Sequence, residues 1–176
     1  MSLPLDPESG DPIIDLISPR DIFRYLSQEY LQNFKEDRRV EFKSQAIHFD
    51  ELAQYYSMFS NTAPDGGVII IGISDKGDPL GCRTVGIDFQ NKLEKFHRQH
   101  CPLAKPEIKK IPVSINGCSD FVISIYLPYI GRLVETNRSE AFIRYGDSKI
   151  KMTEDEKRDF RVSRQEIPFE LEPCTL

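Results

Sequence analysis

The chain has no tryptophan, three histidines and four widely separated cysteines in 176 residues. So few histidines leave no Ser-His-Asp or Cys-His arrangement to propose. Cys82, Cys101, Cys118 and Cys174 form no C-x-x-C pair, which argues against a disulfide framework and predicts free thiols in a reducing, cytoplasmic setting. No secretory leader is evident, and the longest apolar run is Val68–Ile71, far short of a membrane span. Neither G-x-G-x-x-G nor G-x-x-x-x-G-K-[ST] occurs, so a dinucleotide fold and a P-loop are not expected. Internal repeats and low-complexity segments are absent as well.

What is present fits one folded domain. The chain is 39% hydrophobic with 10 Gly and 12 Pro, enough to build a core at this length. Its net charge is −5, so the surface as a whole is no nucleic-acid footprint, although a local basic face remains compatible with it. Charge is unevenly spread. Residues 1–50 hold 10 acids and 6 bases, whereas Lys92–Lys110 hold 6 bases and 2 acids. A polyanion is expected on the second stretch.

The chain divides into an arm with a docked helix (1–35), a main domain (36–165) and a tail (166–176). Residues 1–17 are rich in Pro and Asp, with Ile13, Ile14, Leu16 and Ile17 as docking side chains. Ser18-Pro19-Arg20-Asp21 opens a helix, with a capping serine, proline at its first position and an acid near the positive helix end. Ile22, Phe23, Leu26, Tyr30 and Phe34 continue it at helical spacing. Val40–Ala46 alternates as a strand, with Glu41 and Lys43 facing away from Phe42. Asp50 is the expected cap of a helix carrying Leu52, Tyr55, Tyr56 and Phe59. Pro64 and Gly66-Gly67 turn the chain. Val68–Ile73 reads as a central strand. A helix over Phe89–His100 follows, then a hairpin of Glu107–Ile115 and Asp120–Leu127 around Asn116-Gly117. Ala141–Arg144 makes a last short strand, Tyr145–Ser148 a turn, and Thr153–Glu156 a capping box for a helix to about Arg164. This order predicts an α+β fold: a mixed β-sheet with helices packed over one face.

Glu36…Glu41-Phe42-Lys43, the helix end Tyr56–Thr62, the strand and turn Gly66–Gly81, Ala141–Ser148 and Thr153–Glu156 together resemble, in order and spacing, the Schlafen-type AlbA-like domain. Ser57 and Ser60 stand where alanine is usual, and Pro64-Asp65 lengthens the approach to the glycines. The resemblance implies a nucleic-acid-binding or regulatory module, DNA-binding or nucleotide-binding in many members. For some members it implies instead an endoribonuclease with a three-carboxylate site, which maps here onto Glu36, Glu41 and Asp75, with Asp78 a competitor for the third place.

Two functional readings therefore stand together. In the binding reading Lys43, Lys92, Lys95, Arg98, Lys105, Lys109, Lys110, Arg132, Arg144, Lys149 and Lys151 contact the phosphates of DNA or RNA in a salt-sensitive way. Tyr126, Tyr129 or Tyr145 stacks on bases if exposed. No cofactor is expected. In the nuclease alternative the three carboxylates hold Mg²⁺ or Mn²⁺ and Lys43 offsets phosphate charge. A third class is a scaffold domain whose Ile22–Phe34 helix binds a partner, and a homo-oligomer would widen either surface. The plain alternatives are a Glu41–Lys43 surface ion pair, lysines kept for solubility, and Gly66-Gly67 as a simple turn. His97, His100, Cys101 and Cys118 lack the spacing of a zinc site.

Overall fold

A computed structural model describes residues 18–164, so the arm before Ser18 and the tail lie outside the described residues. Ser18 caps α1 (Pro19–Tyr25) through its hydroxyl, which accepts from the Asp21 amide. The single helix expected from Ile22 to Phe34 is instead two. Leu26 leaves helical geometry, and Ser27 caps a new one, α2 (Gln28–Gln32), by accepting from the Tyr30 amide. A serine hydroxyl that satisfies an orphan amide makes such a restart cheap. The apolar positions keep their role: Ile22, Leu26, Tyr30, Leu31 and Phe34 are all buried.

The main sheet has the order β1-β2-β4-β3. Strand β1 (Val40–Lys43) runs parallel to β2 (Gly67–Ile71), which pairs antiparallel with β4 (Cys118–Leu127), which in turn pairs with β3 (Glu107–Ile115). Every β2 residue is buried, as a β-branched, uncharged strand between two neighbours should be. It ends two residues sooner than expected. Gly72 takes φ +99°, and the amides of Gly72 and Ile73 both donate to the Lys43 carbonyl. A Cβ at Gly72 would also stand 2.6 Å from the Cys82 sulfur. Asn116 and Gly117 both have positive φ, the two-residue hairpin turn that suits strand twist, so β4 starts already at Cys118.

Helix α3 (Phe49–Ser60) and helix α4 (Ile87–His100) cover one face of the sheet. His48, not Asp50, precedes α3, while Asp50 lies in its first turn and pairs with Arg138. The expectation of helices over one face is corrected here. Alternation sends Val40, Phe42, Val68, Ile70, Val122 and Tyr126 to the opposite face, where α1 and α2 bury them. An exposed apolar sheet face would be costly, at roughly 1.5–3 kcal/mol for each large side chain left in water. The Ile22–Phe34 segment is thus consumed within the fold, and its apolar face is not open to a partner.

A second hairpin, β5 (Phe142–Tyr145) with β6 (Ser148–Lys151), packs on α3. Strand β6 was not anticipated, because Ile150 is its only apolar residue. Helix α5 (Glu154–Ser163) closes the domain with the expected Thr153–Glu156 capping box. Its buried Lys157 ammonium donates to Glu135, Glu154 and the Ser139 carbonyl.

Candidate nucleic-acid interface

Alternation along β1 buries Val40 and Phe42 and turns Glu41 and Lys43 toward α3 and the second hairpin. There Glu41 accepts from the Lys43 ammonium at 2.9 Å and from the Arg144 guanidinium at 3.2 Å. The three side chains are 14%, 17% and 5% exposed, which places the pairs well below the water-screened surface. The Lys43 Nζ also lies 4.6 Å from the centre of the Tyr55 ring, and that of Lys149 4.2 Å from the same ring. Lys149 donates to the Gln54 side chain at 2.6 Å. Burial works against the charge of Lys43, but hydrogen bonds to Glu41 and Tyr55 outweigh it and hold the ammonium above the ordinary lysine range. Lys149 goes the other way, lowered by burial.

The hairpin that carries Arg144 is fixed by two polar side chains from the end of α3. Asn61 donates to the carbonyls of Val134 and Phe142 at 3.0 Å each and accepts from the Val134 amide at 2.9 Å. Ser57 donates to the Val134 carbonyl and accepts from the Phe142 amide. Both residues are buried, so every one of these bonds would leave an expensive orphan if broken. Strand β5 therefore starts at a set place, and Arg144, two residues on, reaches Glu41.

Beyond Arg144 lies a groove of about 510 Å³, lined by Arg38, Arg39 and Arg144, the 62–66 turn, Gly146 and the start of α1. Arg39 pairs with Asp37 and lies over the Phe34 ring. The Arg144 Nε donates to the Gly146 carbonyl, which holds its guanidinium at the tip of the hairpin. Arg38 is exposed. Tyr145, between Arg144 and Gly146 in the chain, is 61% exposed. Of the three tyrosines considered for stacking, Tyr126 is buried with its hydroxyl on the Asp65 carbonyl, and the Tyr129 hydroxyl accepts from Arg164.

The remaining basic residues do not form one surface. Lys92, Lys95 and Arg98 are exposed on α4. Neighbouring strand positions point to opposite faces. Lys109 accordingly sits over Phe23 and donates to the Arg24 carbonyl on the α1 side, while Lys110 lies over the Phe121 ring. Lys105 and Arg132 are exposed in loops, and Lys151 pairs with Glu140.

The three carboxylates of the nuclease alternative feel one another. Glu36 is held above the usual carboxylate range by partial burial, with Glu41 and Asp75 adding to it, against the hydrogen bond it accepts from the Phe42 amide. They do not make a ligand set, however. Among the described residues no three His, Cys, Asp or Glu side chains are grouped to hold a metal ion, and Glu41 is already engaged by two cations. The same finding covers His97, His100, Cys101 and Cys118.

Arg38 and Arg39 are absent from the sequence-based candidates, because an Asp37-Arg38-Arg39 charge run has no pattern that sets it apart from an ordinary solvated turn, and Tyr55 reads only as part of an apolar stripe. Ser57 and Asn61 read in the sequence only as part of a helix end. A polar pair four residues apart on the buried side of an apolar helix was the available signal.

Among solved structures, the chain is similar to the DIP2311 protein from Corynebacterium diphtheriae, at 21% identity and a TM-score of 0.52, over 72% of this chain and 24% of that one. It is also similar to the N-terminal domain of a RecG-related protein from Nitrosomonas europaea, at 20% identity and a TM-score of 0.42, over 65% and 74% of the two chains. The match thus spans about a quarter of the DIP2311 protein, and it speaks for the fold alone. No curated protein matches, and no helix among the described residues is long and apolar enough to cross a membrane. The Schlafen, AlbA_2 family profile matches residues 36–153, from Glu36 before β1 to Thr153, the cap of α5, and on this match the chain belongs to the Schlafen AlbA_2 family.

Proposed function

We propose that this domain binds nucleic acid and holds its phosphates in the groove of Arg38, Arg39 and Arg144. The observation that carries this reading is a groove lined, among the described residues, by three arginines against one carboxylate, Asp65, in a chain of net charge −5. Guanidinium is planar, always charged and matched to phosphate oxygens. Glu41 and the Gly146 carbonyl orient Arg144, while Arg38 supplies the exposed charge. Lys43 and Lys149, behind Arg144, add a positive field without direct contact. Tyr145 at the hairpin tip offers a stacking surface that any base can use. Contacts of this kind give affinity without reading sequence. Family membership is compatible with the reading and does not by itself choose between DNA and RNA.

Fluorescence anisotropy with labelled single-stranded and duplex DNA and RNA, each across a salt series, tests it. Binding that weakens steeply with salt is expected. Absence of binding to all four at low salt would overturn it.

A further inference from the structure

We infer a second ligand site at the opposite end of α3, where a groove on α4 takes a nucleotide, its base on an aromatic floor and its phosphate on Lys95 and Lys92. Helix α3 has 12 residues and so spans about 18 Å. The arginine groove lies beyond its C-terminal end, and this second groove begins at Phe49, its first residue. The volume is about 400 Å³, a size that suits a small ligand.

The floor is built from three rings. Phe49 meets Phe96 edge-on at 5.3 Å, His100 stacks on Phe96 at 4.5 Å, and Phe49 and His100 are 6.0 Å apart. Phe96 is buried beneath, whereas Phe49 and His100 remain partly exposed. The Nδ1 of His100 is buried with no hydrogen-bond partner, which leaves Nε2 as the polar ring atom to meet a ligand. The wall is a single stripe of α4. Lys92 and Lys95 are one turn apart, both exposed, and neither makes an ion pair among the described residues. Asn91 and Gln99 bring amides that both donate and accept, as the edge of a base requires. Asp88 is the one carboxylate among the described residues that line the groove, a turn before Lys92, so the phosphate is favoured at the Lys95 end.

A simple anion would use the lysines and leave the rings idle. A neutral aromatic would use the rings and leave the lysines idle. A nucleotide uses both. It is either free or a unit of a bound strand, and only the second source rests on the nucleic-acid reading above.

The test is a ¹H–¹⁵N NMR titration of the full chain with AMP, adenosine and inorganic phosphate, then with a short oligoadenylate. AMP is expected to shift α4 amides and Phe49 and to bind about tenfold more tightly than either fragment, the factor expected from one stacked base. Lys95→Glu should abolish this, and Lys76→Glu, in the exposed turn after β2, should leave it unchanged. Lys95 is exposed, so an unchanged thermal midpoint will show that the variant is folded. If the nucleotide belongs to a strand, the oligoadenylate binds more tightly than AMP and loses affinity in Arg38→Ala. If AMP binds but the oligoadenylate gains nothing, the site holds free nucleotide and the strand reading fails alone. Phosphate binding as well as AMP, AMP-induced shifts that spare α4 and Phe49, or indifference to Lys95→Glu would each overturn the inference, as would no shift at all.

Discussion

Replacing Glu41 by alanine should unfold this domain more readily than removal of any exposed acid. The carboxylate partners two cations, Lys43 at 2.9 Å and Arg144 at 3.2 Å, and Arg144 is only 5% exposed. Without Glu41 both keep their charge in a site largely closed to water. Breaking a buried pair costs about 3–5 kcal/mol, because the remaining charge is uncompensated. The residual exposure of Glu41 and Lys43 admits some solvent, so the low end, about 3 kcal/mol, is appropriate. For a domain of this size that is a fall in thermal midpoint of about 6–12 °C. There is no tryptophan, so far-UV circular dichroism through a urea titration is the suitable assay. A double change with Arg144→Met should recover part of the loss, since the pair is then removed from both sides. A cost below about 1 kcal/mol, the range of exposed ion pairs, would refute the claim that this network is buried and that it fixes Arg144.

Two other tests address separate parts of the structure. Burial raises the folded pKa of Glu36, so this group favours the folded state below its unfolded pKa, and that contribution is lost as pH rises through the folded value. Glu36→Gln keeps an acceptor for the Phe42 amide and should be at least as stable as the parent at pH 7, with its advantage disappearing on acidification, as paired urea midpoints will show. Cys82 and Cys101 are buried, their thiols pushed up to about 11 and about 12 by desolvation. Iodoacetamide and peptide mapping of the native protein should find Cys118, exposed at the start of β4, modified before these two, which stay protected.

Much of the fold was legible because its signals are local. The β2 run, the Asn116-Gly117 turn and the Thr153–Glu156 capping box each act over a few residues. Misreadings came where a long-range partner decided the outcome. Strand β6 exists because β5 pairs with it and α3 lies beneath, although Ser148-Lys149-Ile150-Lys151 carries little strand pattern of its own. The helices over the second sheet face follow from β2 and β4 being apolar on both sides, a feature visible in Val68–Ile71. The candidate interface was harder still. Lys109 and Lys110 are adjacent in sequence, yet a strand sends them to opposite faces, whereas Arg38 and Arg144 are 106 positions apart and line one groove. Charge density along the chain misjudges both cases.

The central claim, that phosphates are held at the arginine groove, is tested most directly by comparing Arg38→Ala with the parent. Arg38 is exposed and makes no ion pair among the described residues, so its removal should leave stability unchanged. If it contacts a phosphate, the slope of log K against log salt should become shallower by about one, and affinity should fall alike for every sequence tried. An unchanged slope and affinity in a folded Arg38→Ala protein would contradict the account.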